Sequence, residues 1–141
     1  MIGVDEQGIV RAVADTHAVL WYLFEQDRLS ESAHRFMETI DVNGDFIAFS
    51  SITLVEVLYL CEKGRLPVTF FTNLIDELES GVSCFVEAPL NREVAQSMQR
   101  VPRGEVPDMP DRIIAATAVA LDVPLISRDH KITLSRIRTI W

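Results

Sequence analysis

The residues that would staple, anchor or thread this chain are scarce. Only two cysteines occur, Cys61 and Cys84, with no CxxC spacing and no histidine pair beside them. That excludes a disulfide framework and a zinc ribbon, and it fits a reducing, cytoplasmic setting. No apolar run approaches the ~20 residues of a membrane span, so no membrane role is expected. Neither G-x-G-x-x-G nor a P-loop is present, which removes the common nucleotide cradles. Internal repeats and low-complexity linkers are absent as well. The start, "MIGVDEQG", carries Asp5 and Glu6 and no basic stretch, so it does not read as a signal peptide. Positive charge is also short: 13 Lys and Arg stand against 21 Asp and Glu, for a net charge of −8. A protein that holds nucleic acid through its overall field would be basic. If the substrate is anionic, this chain must neutralise its own carboxylates or recruit cations to do so.

What is present suits one ordinary globular domain over residues 1–141, with 48% hydrophobic and 24% charged residues. A chain of this length buries roughly 68–70% of its unfolded surface and needs no staple. "GIVRAVADT" reads as a strand ending at Asp15, followed by the apolar helix "HAVLWYLFEQ". "LSESAHRFMETI" is a helix with Ser30 as N-cap, and "DFIAFS" is a second strand. Two helices follow, "SITLVEVLYLCEKG" closed by Gly64 and "LPVTFFTNLIDELESG" closed by Gly81. "VSCFVEA" is a strand, and "NREVAQSMQRV" a helix capped by Asn91. "VPRGEVPDMP" holds three prolines and a glycine and is a loop. The helix "DRIIAATAVALD" has Pro110 in its first turn; "VPLIS" is a short strand, and "RDHKITLSRIRTIW" a turn or short helix before a final strand. Strands and helices alternate, and the strands are short apolar runs rather than alternating ones. This predicts a three-layer α/β domain, its mostly parallel central sheet flanked by helices. In such folds ligands sit at the carboxyl ends of the strands.

Acidic residues fall at that edge. Asp15 ends the first strand, Asp129 follows "VPLIS", Asp111 opens a helix after a loop, and Glu56 lies on the helix that follows "DFIAFS". Asp108 is a fifth candidate. Each has a plain structural reading. Asp108 can cap its helix, with Asp111 favoured in the first turn by the macrodipole. Thr53 and Glu56 match a T-x-x-E capping box. Asp15 can form an Asx-turn, and Asp129 can hold a surface turn. Independent caps have no reason to converge, however, and gathered carboxylates repel. A divalent cation removes the conflict, because Mg²⁺ takes a few carboxylates and keeps several waters. A pair of such ions can hold both oxygens of a phosphodiester displacement.

The segments "ADTHAVLW", "SSITLVEV", "DMPDRIIAATAVALDVPLISRD" and "IRTIW" resemble a PIN domain, most closely the VapC-type toxin ribonucleases of prokaryotic toxin–antitoxin pairs. The resemblance runs from about residue 10 to residue 141 and is most specific over residues 108–129. It implies an endoribonuclease dependent on Mg²⁺ or Mn²⁺, acting on RNA, with a small antitoxin protein as partner and a homodimeric assembly. Apolar surplus in "WYLF" and "VEVLYL" points to self-association as well. By position, Asp15, Glu56, Asp111 and Asp129 match the acidic quartet of the family, Asp108 an extra acid, and Thr16 the hydroxyl residue after the first aspartate. Met109-Pro110 stands where Pro-Phe is more usual, so the resemblance carries Asp111 further than Asp108. Residues 1–9 form a longer lead than usual and are expected to be flexible.

Among the remaining residues, Arg112 and Arg128 are candidates for gripping RNA phosphates, as are Arg100 and Arg103; solvated surface charge is the alternative. His17 is expected to pack beside the site, and His130 to be a plain turn residue, with substrate contact as the alternative. Trp21, Tyr22 and Phe24 are expected in core or subunit contacts. Two competing readings remain open: an RNA-processing nuclease without a toxin role, and phosphoryl transfer through an aspartyl-phosphate. For the second, "DTH" stands where a D-x-D would be required.

Overall fold

Five short apolar runs pair side by side because each is too short to bury itself and too apolar to stay in water. They are β1 (Val10–Ala14), β2 (Phe46–Ser50), β3 (Phe85–Ala88), β4 (Leu125–Ile126) and β5 (Thr139–Ile140). A computed structural model of the chain describes residues 8–129, 132 and 137–141. Among these, all strand pairs are parallel, in the order β3-β2-β1-β4-β5. Residues 1–7 of the expected lead and His130 lie outside the described residues. Ile9 does not belong to a loose lead. Its N–H donates to Asp45 Oδ1 at 3.2 Å, and its carbonyl accepts from the Phe46 N–H at 2.9 Å.

The helices that cover the sheet include α1 (Thr16–Phe24), α2 (Glu31–Val42), α3 (Ser51–Glu62), α4 (Thr69–Glu79), α5 (Arg92–Ser97) and α6 (Met109–Leu121). The caps follow the sequence closely. Ser30 accepts from Ala33 N at 3.0 Å and Asn91 from Val94 N at 3.0 Å, each satisfying one orphan donor of the first turn. Gly64 adopts φ +74° just past α3, the left-handed conformation that a helix end favours. The predicted helix "NREVAQSMQRV" is α5 plus a 3₁₀ turn over Met98–Arg100. No helix among the described residues is long and apolar enough to cross a membrane.

Successive strand residues face opposite sides of the sheet, which makes two cores. Ala12, Ala14, Ile47, Phe49 and Ile126 pack on one side with Leu20 of α1, Met37 of α2, Val57 of α3 and Leu74 of α4. Val13, Ala48 and Leu125 pack on the other with Val94 of α5 and Ile113 and Ile114 of α6. The chain runs outward from β1 to β3, then crosses to β4 on the other side of β1. The carboxyl ends of β1 and β4 therefore lie together at a topological switch point, with Ala14 in register with Ile126.

Phe49 of β2 is fully buried. Phe49→Ala should cost about 3–5 kcal/mol through lost transfer energy and a residual cavity. Val42→Ser, at a position 78% exposed, should change stability by less than about 0.5 kcal/mol. Urea midpoints of the two variants check this, and equal midpoints would contradict the core assignment.

Candidate active site

Backbone geometry sets the first acid. The Asp15 N–H donates to the Ile126 carbonyl at 3.1 Å, which fixes the residue after β1 against the end of β4. Its carboxylate then caps α1, with Oδ1 accepting from the Ala18 N–H at 2.9 Å. Burial raises the Asp15 pKa, hydrogen bonds from Ser127 and Ala18 oppose the rise, and the nearby Asp129 charge adds to it.

Asp129 is placed by the turn after β4, where its N–H donates to Ser127 Oγ at 3.0 Å. Ser127 is fully buried and so serves two acids at once. Asp111 sits in the first turn of α6, its N–H bound by Asp108 Oδ2 at 3.2 Å. Desolvation pushes the Asp111 pKa up to about 7, reinforced by the charges of Asp108 and Asp129, a hydrogen bond shared with Asp129, and the charge of Glu56. A hydrogen bond between two carboxyl groups requires a proton on one of them.

Glu56 lies inside α3, not at its start. The N-cap of α3 is Ser50, whose Oγ accepts from Ile52 N at 3.2 Å, while Thr53 is buried within the helix. The capping-box reading of Thr53 and Glu56 therefore falls. Thr16 Oγ1 donates instead to Glu56 Oε1 at 2.5 Å. Thr16 and Thr53 hydroxyl oxygens lie 3.1 Å apart; the Thr16 proton being committed, Thr53 is the donor. Burial raises the Glu56 pKa, the Thr16 bond lowers it, and the Asp108 charge raises it again.

Asp15, Asp111 and Asp129 line one cavity of about 320 Å³, together with His17, Trp21, Arg128 and Trp141. Glu56 and Asp108 do not line it, but their charges reach Asp111. Two of the plain readings hold alongside this convergence. Asp108 does cap α6, and Asp15 does hold a turn, as the N-cap of α1. Arg112 is turned away from the cavity. Its Nε donates to the Val101 carbonyl at 2.8 Å and its Nη2 to the Met98 carbonyl at 2.9 Å, which latches the loop before α6. That placement suits loop closure rather than a phosphate grip. Arg100 lines a different cavity at the far end of α6, with Asp122 and Arg138. Sequence reasoning overlooked Ser127 and Trp141. An S-x-D turn after a buried strand was the available sign for Ser127; Trp141 left none.

Every group in the acidic cluster offers oxygen, which suits a hard cation, and burial together with neighbouring like charge raises the carboxyl pKa values of Asp15, Glu56 and Asp111. Among the described residues, no three His, Cys, Asp or Glu side chains form a ready-made cation cage. A hydrated Mg²⁺ or Mn²⁺ does not require one, since it keeps several of its waters. The residues present fit such an ion.

The sign of the pH effect follows from the Asp111 shift. A carboxyl group whose folded pKa is raised favours the folded state below its unfolded value of about 3.9. That contribution is lost as pH rises through about 7. In EDTA, the melting temperature of the wild type relative to Asp111→Asn should therefore fall between about pH 4 and pH 8. Parallel melting curves for the two proteins across that range would contradict the crowded-acid description.

Residues 12–138 match the family described as PIN domain. Ribonuclease VapC22 of Mycobacterium tuberculosis is 26% identical over 123 residues, covering 86% of this chain and 89% of that protein. The structure of VapBC2 from Rickettsia felis bound to a promoter DNA fragment superposes with a TM-score of 0.65 at 18% identity, covering 93% of this chain and 96% of that one. DNA-bound VapBC from Salmonella typhimurium gives 0.64 at 20% identity, with coverage of 92% and 96%. At these identities the two structures speak for a shared fold.

Proposed function

The chain belongs to the PIN domain family, and from that premise we propose that it is an endoribonuclease dependent on Mg²⁺ or Mn²⁺, acting as the toxin of a toxin–antitoxin pair. The observation that carries the reading is the convergence of Asp15, Asp111 and Asp129, from three separate segments, on one cavity at the strand switch point. The likeness to a protein named ribonuclease supports the substrate class.

In this reading Asp15 and Asp111 hold the ion, Glu56 and Asp129 complete its surroundings, and Asp108 contributes from the margin. Bound Mg²⁺ or Mn²⁺ supplies Lewis acidity at a phosphate oxygen and offsets the charge of the phosphodiester. The chain supplies orientation. Ser127 fixes the Asp15 carboxylate and the backbone of Asp129, and the Thr16 hydroxyl holds one oxygen of Glu56. Glu56, whose pKa burial raises, takes the proton of the attacking water, since a carboxyl group with a raised pKa is the better base near neutrality, and Asp129 helps to orient that water. Arg128, on the cavity wall, contacts a substrate phosphate.

Two partners belong to the proposal. A small antitoxin protein is supported by the likeness to structures of VapBC complexes. A homodimer is supported by α3, where Val55, Leu58 and Tyr59 recur at helical spacing and are 60%, 40% and 56% exposed.

The purified protein should cleave RNA in Mg²⁺ or Mn²⁺ and stop in EDTA, and Asp15→Asn should lower the rate about a hundredfold or more. Undiminished cleavage in EDTA by a preparation free of contaminating nuclease would end the metal reading. Light scattering at tens of micromolar should give a dimer mass, and Leu58→Glu should give a monomer. A wild-type monomer at that concentration would remove the dimer from the proposal.

A further inference from the structure

Arg128 precedes Asp129 and borders a cavity that holds three carboxylates, yet among the described residues no carboxylate lies within ion-pair range of it. Its guanidinium carbon stands 4.7 Å from the centroid of the Trp21 ring. That is cation–π range, and Trp is the strongest of the aromatic platforms. The ring itself is immobilised. Trp21 is 5% exposed, His17 one helical turn earlier tilts against it at 5.4 Å, and Trp141 does so at 5.9 Å. Arg28 also approaches the same ring, at 5.5 Å.

This arrangement solves a problem of charge. An arginine free to swing onto Asp129 or Asp111 would neutralise the carboxylates and spend its own donors. A guanidinium held over an aromatic ring keeps its N–H edge open, and that edge fits phosphate oxygens in a bidentate manner. We propose that Trp21 is a positioning residue: its ring holds Arg128 off the acidic cluster, so that the guanidinium meets the RNA phosphate next to the scissile bond. The inference rests on the ribonuclease reading and gives one residue of the apolar helix α1 a part in substrate binding.

The test is steady-state cleavage of a short single-stranded RNA in Mn²⁺, over a range of salt, by wild type, Arg128→Gln, Trp21→Met and the double variant, with melting curves as a fold check. Arg128→Gln and Trp21→Met should each raise KM about tenfold, the scale of one hydrogen bond to a charged group, with kcat within about twofold. The double variant should be no worse than Arg128→Gln, because the ring acts only through the arginine. The slope of log(1/KM) against log salt should shrink by about 0.7 in both single variants, the share of one phosphate contact on a single strand. Should Trp21→Met not fold, protein grown with fluorinated tryptophan keeps the ring shape and weakens its negative face. KM should then rise in the wild-type background and not in Arg128→Gln. Additive losses in the double variant, or a salt slope unchanged by loss of the ring, would overturn the role of Trp21 alone. A wild type that leaves the RNA intact in Mn²⁺ would overturn the ribonuclease reading and this inference together.

Discussion

One hydrogen bond places the chemistry of this molecule: the Asp15 N–H to the Ile126 carbonyl, 3.1 Å long. It joins the last rungs of β1 and β4, two strands more than a hundred residues apart in sequence. Because the sheet order reverses there, a crevice opens outside the two strand ends. Asp15 and the turn carrying Asp129 are thus brought to the same opening, and α6, packed on β1 and β2 through Ile113 and Ile114, delivers Asp111 to it. A slip in the β1–β4 register would turn strand residues to the wrong face and separate these acids.

Such a site is a standing electrostatic cost. Burial and like charge raise the pKa values of Asp15, Glu56 and Asp111, so the metal-free protein holds carboxyl groups that resist ionisation. The surrounding structure tolerates this because each acid also does local work. Asp15 caps α1, Asp108 caps α6, and Asp129 accepts from the Ile132 N–H at 3.4 Å. Capping and site membership are compatible in geometry, since a carboxylate has two oxygens and about four lone pairs. The acids are therefore pinned before any ligand arrives, which lowers the ordering cost of binding.

The rest of the cavity wall follows a different logic. There Arg128 lies over the Trp21 ring, and among the described residues no carboxylate is in ion-pair range of it. In a chain with net charge −8, a guanidinium held open beside an acidic cavity is chemically useful. Elsewhere Arg11 pairs with Asp45 at 2.9 Å and Arg35 with Glu31 at 2.6 Å.

The order of strands and helices, the caps at Ser30 and Asn91, the helix end at Gly64 and the acids at strand ends were all legible in the sequence. Each depends on side-chain type and near neighbours, and hydrophobic period plus local hydrogen bonding settles it. The loop role of Arg112, the true cap of α3 at Ser50 and the service of Ser127 to two acids were not legible. Those depend on which distant segment lies alongside, and many pairings of short apolar strands satisfy the same pattern. The tertiary structure alone decided that Trp21, a buried residue of α1, and Trp141, at the far end of the sequence, share a cavity with Asp15. Pairing of β4 with β1 and of β5 with β4 sets that distant segment near the end of β1, and no local rule encodes such pairings.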